Sequence, residues 1–95
     1  MAAIGVLTLE LRLENSHSLK DKRHVVQGLK ARLRHKFNVA VAEIDHQDLW
    51  QSAVVAAVTV SPDRVFAGKV LQSVEDEAAA LLGGELAGTS VEWLA

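Results

Sequence analysis

The 95 residues predict an α+β fold, the ferredoxin-like βαββαβ sandwich: a four-stranded antiparallel sheet with two helices on one face. Three observations lead there. Short runs of period two or of unbroken apolar character mark four strands, and two longer segments of helical period lie after the first and third of them. The length is that of one domain, residues 1–95, with a single core.

Residues 4–13, IGVLTLELRL, alternate: Leu7, Leu9, Leu11 and Leu13 point one way and Val6, Thr8, Glu10 and Arg12 the other, as in a strand with one face on a core. Residues 14–17 turn the chain into SLKDKRHVVQGLKARLRHKF, a helix from Ser18 to Phe37. Ser18 and Asp21 have capping-box spacing, and Asn38 is a plausible left-handed stop. VAVAEI, residues 39–44, is a shorter second strand, and DHQDLW, residues 45–50, a polar connection. Residues 51–60 contain AVVAAVTV, apolar on both faces. Central strands read this way when water meets neither face. Because one chain supplies a helix layer for one side only, a second subunit is expected on the other, through the sheet or its edge, giving a homo-oligomer, most simply a dimer.

Ser61-Pro62 opens the second helix, with serine as N-cap and proline at the first helical position. Phe66, Val70, Val74, Ala78 and Leu81 form its expected core stripe, and Gly83-Gly84 ends it. TSVEWL, residues 89–94, is the fourth strand, with Val91 and Trp93 on one face.

Composition removes several function classes. There are no cysteines, so no disulfide framework or thiolate metal site exists. Met1 to Leu13 has no basic leader and carries Glu10 and Arg12, and no apolar run approaches the roughly 20 residues of a membrane span, so a cytoplasmic protein without a membrane partner is expected.

Charge is where the chain is unusual. Residues 20–36 hold seven Lys or Arg against Asp21 alone, a balance of +6, while the rest of the chain carries three basic and eleven acidic residues, or −8. The formal net charge of −2 therefore conceals strong polarisation. At 100° per residue from Leu19, the apolar residues Val25, Val26, Leu29, Leu33 and Phe37 fall in an arc of roughly 240° to 360°. Arg23, Lys30 and Arg34 lie on the flank beside it at roughly 20° to 60°, with Gln27 and Lys20 just beyond.

One stripe of cations on one flank suits a polyanion, most simply RNA or a ribosomal particle. Lys20, Arg23, Lys30 and Arg34 are the expected phosphate contacts, with Lys22 and Arg32 as auxiliaries. The competing reading is that a basic helix balances acids in its own fold, or docks an acidic protein partner such as the Glu75 to Glu77 face of another subunit. Lys22, at about 300°, sits inside the apolar arc. The commonest outcome for such a lysine is to snorkel to water, a buried pair being the rarer one.

SLKDKR (18–23), FNVAVAE (37–43) and DHQDLWQ (45–51), in this order after a GVLTLEL strand, resemble the YlxP-like family of small bacterial proteins, a group of unknown function. The resemblance covers essentially the whole chain. It implies the ferredoxin-like fold and genes often found among those for transcription elongation, translation initiation and ribosome maturation. No activity or cofactor comes with it. The family's Ser-Leu-Lys-x-Lys-Arg run falls on Ser18, Leu19, Lys20, Lys22 and Arg23. Its acidic-aromatic hairpin falls on Glu43, Asp45, His46, Gln47, Asp48, Leu49 and Trp50.

That hairpin is the second place for chemistry. Glu43, Asp45, His46 and Asp48 bring three carboxylates and an imidazole within six residues, donors enough for a divalent metal or for acid-base work if a turn gathers them. The structural alternative has Asp45 and Asp48 accepting backbone N–H groups and Trp50 closing one end of the core. No Gly-rich phosphate loop, nucleophile elbow or paired helical histidines are present, so a non-enzymatic protein is expected. The first strand has no aromatic residue, so bases cannot stack on the sheet as they do on an RRM.

Overall fold

Strand β1 (Ala3–Arg12) runs antiparallel to β3 (Ser52–Ser61) along its whole length, from Ala3 opposite Ser61 to Arg12 opposite Ser52. This register sets Leu7, Leu9 and Leu11 beside Ala57, Val55 and Ala53 on one face. All of these side chains are buried. The computed structural model describes all residues 1–95. After β1 come α1 (Leu19–Lys36), β2 (Ala40–Asp45), β3, α2 (Arg64–Leu82), a short 3₁₀ turn (Gly83–Glu85) and β4 (Leu86–Trp93). The sheet order is β2-β3-β1-β4, with every neighbouring pair antiparallel. This is the ferredoxin-like sandwich the sequence predicts.

Both helices cover the same face. Leu29 and Leu33 of α1, Leu71 and Val74 of α2, and Leu7, Leu9 and Leu13 from β1 and the turn after it form one cluster. Each such leucine, fully removed from water, contributes about 1.5–3 kcal/mol of transfer free energy. α1 lies over β2 at one margin of the sheet, whereas α2 lies over β1 and β3.

Local chemistry accounts for the helix ends. Ser18 Oγ accepts from Asp21 N–H at 3.1 Å, and Asp21 Oδ2 accepts from His17 N–H at 3.0 Å, so the two side chains satisfy donors on both sides of the cap. α1 ends differently from the expectation. Phe37 turns to extended backbone at φ −132°, its N–H still bonded to the Leu33 carbonyl, and Asn38 is not left-handed.

The start of α2 is also displaced. Ser61 belongs to β3, and Asp63 is the N-cap, its Oδ1 accepting from Val65 N–H at 3.0 Å. Ser61 Oγ accepts from Asp63 N–H and tightens the turn ahead of the cap.

The core stripe of α2 is Ala67, Leu71, Val74, Ala78 and Leu82, which keeps the expected Val74 and Ala78, leaves Val70 at the margin of the core and differs by one residue at its two ends. Phe66 and Leu81 are exposed as a result. The small Ala67, fully buried, faces the sheet where Phe66 was expected. β4 begins three residues early, at Leu86, and its register with β1 shifts between Gly88, opposite Glu10, and Leu86, opposite Leu11. Trp93 packs against the core beside Gly5 and Gly68, so it is Trp93 rather than Trp50 that fills one end. Trp50 is half exposed.

Candidate nucleic-acid interface

The seven cations of α1 divide into three groups by what they face. Lys22 points into the domain. Its side chain is 2% exposed, and Nζ lies 2.9 Å from Glu43 Oε2. The same ammonium donates to the carbonyls of His46 at 2.7 Å, Gln47 at 3.2 Å and Ser52 at 3.3 Å. An ammonium has three hydrogens and here meets four oxygens. Glu43 Oε2 accepts no well-aligned hydrogen bond, so charge rather than hydrogen-bond geometry holds it.

Lys22 is therefore buried and paired, not snorkelled, and it offers nothing to a phosphate. The sequence carried the signal for this. A lysine inside the apolar arc of α1 needs a buried partner, and Glu43, opposite Val55 on the helix-covered face of β2, supplies it.

Arg32 and Lys36 turn towards α2. Arg32 Nη1 lies 3.0 Å from Glu77 Oε2, and Lys36 Nζ lies 2.8 Å from Glu77 Oε1. These two hydrogen-bonded cations, Lys36 first, hold the Glu77 carboxyl below its ordinary pKa, against a smaller opposing effect of desolvation. Of the Glu75 to Glu77 face expected to attract another subunit's basic helix, Glu77 is thus engaged inside its own chain, and Arg32, though half exposed, is paired with it.

Lys20, Arg23, Lys30 and Arg34 make no ion pair with any carboxylate of the chain. Lys20, Arg23 and Arg34 are exposed and Lys30 is half-buried. Arg23, Lys30 and Arg34 lie on the flank of α1 opposite the one that meets α2, with Lys20 just beyond them. From Lys20 to Arg34 the stripe rises about 21 Å at 1.5 Å per residue. A shallow depression lined by Lys20, Arg23, His24, Gln27 and Gly28 opens at its N-terminal end.

The hairpin residues do not converge. Glu43 points to Lys22, while Asp45 Oδ1 accepts from the adjacent His46 N–H at 2.8 Å. His46 Nδ1 meets Ser52 Oγ at 2.8 Å. Asp48 is exposed, and no three His, Asp or Glu side chains gather closely enough to hold a metal ion. His46 itself takes a left-handed backbone, φ 62°, which swings its carbonyl onto Lys22 and closes the turn. No helix is long and apolar enough to cross a membrane.

Fold and surface together define a ferredoxin-like α+β domain with one unneutralised basic flank. The chain belongs to the family described as protein of unknown function DUF503, whose model matches residues 4–91. It is 39% identical over 71 residues to the uncharacterized protein YlxP of Bacillus subtilis (strain 168), covering 75% of this chain and 77% of that one. Among solved structures it is similar to the de novo designed protein Foldit4, with TM-score 0.64 and 10% identity over 100% of this chain and 98% of the other. It is also similar to a dimeric ferredoxin-like protein of unknown function from Thermobifida fusca, with TM-score 0.51 and 16% identity over 97% and 91% of the two chains. At such identities the structural matches speak for the fold alone.

Proposed function

We propose that this protein is an RNA-binding module of the ribosome-associated kind, which grips the phosphate backbone with Lys20, Arg23, Lys30 and Arg34. One observation carries the reading: the fold pairs three of the seven cations of α1 with two carboxylates, Glu43 and Glu77, and leaves the other four without an ion pair. A helix that served only to balance its own domain would spend its cations on nearby acids, as Lys22, Arg32 and Lys36 do. The four remaining charges create a positive field that reaches about 8 Å at physiological salt, the range over which phosphates are captured. The module holds a structured or backbone surface and does not stack bases on its sheet, because no aromatic side chain stands on β1.

The test is sedimentation of a cell lysate through a gradient at low and high salt, with wild type beside a variant carrying Arg23→Glu, Lys30→Glu and Arg34→Glu. Wild type should travel with ribosomal particles at low salt and leave them at high salt, and the variant should stay at the top. If both travel alike, the stripe has no such role. If association survives nuclease digestion, the partner is an acidic protein and the RNA reading is wrong.

A further inference from the structure

The face of the sheet away from the helices is uncovered and largely apolar. Leu94, just past the end of β4, whose N–H bonds to the Ile4 carbonyl, forms a row with Ile4 of β1 and Val60 of β3, and Leu94 and Val60 are 63% and 59% exposed. The next rows pair Val6 with Val58 and Thr8 with Ala56, and Ala40 and Ala42 of β2 extend them. Charges stand only around the margin. Glu92 lies on the edge strand, and Glu10 and Arg12 lie at the far end of β1, with no ion pair inside the chain.

We propose that this face is a homodimer interface, closed by a second copy of the chain about a two-fold axis running along the strands between β1 and β3. That axis lays β1 of each copy over β3 of the other, so Ile4, Val6 and Thr8 meet Val60, Val58 and Ala56 of the second copy. It also brings Arg12 of each copy to the end where Glu10 of the other stands, giving two symmetric ion pairs to charges that lack partners in one chain. Two sheets pack face to face about 10 Å apart with strands within about 30° of each other, and alternating alanines and branched side chains suit that interdigitation. A polyanion has no purchase on this face, because its centre carries no cation.

The areas agree. Strands of ten, six, ten and eight residues, about 4.8 Å apart and about 3.3 Å per residue, make a face of about 540 Å², so two copies bury about 1,080 Å², just above the roughly 1,000 Å² that a specific interface must clear. The isolated chain exposes 5761 Å². A 10.3 kDa monomer is expected to expose about 5,350 Å², so the chain carries a surplus of the order of one uncovered face.

Sedimentation equilibrium at about 10 μM chain, where an interface of this class is mostly assembled, tests it. The expected mass is twice that of one chain. Val58→Lys, which places a charge at the centre of the face, should raise the dissociation constant at least about 30-fold while leaving the far-ultraviolet spectrum unchanged. Should that variant fail to fold, the exposed pair serves instead: Glu10→Arg or Arg12→Glu alone weakens the dimer, and the two together restore it. A single-chain mass for wild type overturns the proposal. So does a dimer indifferent to a folded Val58→Lys variant, or, in its place, to the single charge changes.

Discussion

The Lys22 ammonium and the Glu43 carboxylate meet 2.9 Å apart beneath the β2–β3 hairpin, and through them the first turn of α1 is tied to the sheet. The pair is buried, so its worth lies in what its loss leaves behind. Lys22→Met strands the Glu43 carboxylate and the carbonyls of His46, Gln47 and Ser52, and it should cost about 3–5 kcal/mol in urea unfolding. Glu43→Leu should also destabilise, because it leaves a buried ammonium without a counter-charge. The double variant should recover part of the loss, since neither charge then remains uncompensated. A double variant as unstable as the sum of the two singles would show that these residues do not act together.

Gly5 controls how closely α2 approaches the sheet. A Cβ there would stand 2.7 Å from Leu71 Cδ1 and 2.8 Å from Trp93 Cζ3, both nearer than real contacts allow. Leu71 is 1% exposed and has no room to retreat. Gly5→Ala should destabilise by about 1–3 kcal/mol through overpacking, and Leu71→Ala in the same chain should cost less than it does alone. Denaturant midpoints of the three variants decide this.

Much of this was legible in the residues. The fold class followed from four strand patterns and two helical ones, and the flank of α1 followed from its wheel, because periodicity reports which side of an element is wet. Partner choice was not legible in the same way. Whether Arg32 reaches an acid on α2 depends on how two helices lie against each other, a long-range fact that no local pattern encodes. The middle of the α2 stripe, Val74 and Ala78, was read correctly, and its start was misplaced by one residue because Phe66 is the more apolar side chain. The close approach of α2 to the sheet instead favours the smaller Ala67. The Lys22 pair was readable in principle, from a lysine and a glutamate each on the core side of its element.

Glu77 should make α1–α2 docking sensitive to acid. Its folded pKa lies below the ordinary 4.5 because Lys36 and Arg32 favour the carboxylate. A depressed carboxyl contributes stability that is fully present above its unfolded pKa and lost as pH falls through the folded one. The gap in thermal midpoint between wild type and Glu77→Gln should therefore be widest near neutrality and close as pH drops below about 4.5. A gap independent of pH between 7 and 3 would remove the two cations as its cause.

If four phosphates are neutralised by Lys20, Arg23, Lys30 and Arg34, affinity for a single-stranded RNA oligonucleotide must fall steeply with salt. Four released counterions give a slope of log affinity on log salt of about −3, or roughly a 50-fold loss between 50 and 200 mM. Removing one cation at a time should flatten the slope by somewhat less than one unit each, whichever of the four is changed. Arg32→Ala and Lys36→Ala act as internal comparisons, because their charges face Glu77 and should leave the slope nearly unaltered. A slope that responds equally to all six substitutions would mean that the RNA sees only net charge, in which case the division of α1 into spent and free cations has no bearing on binding.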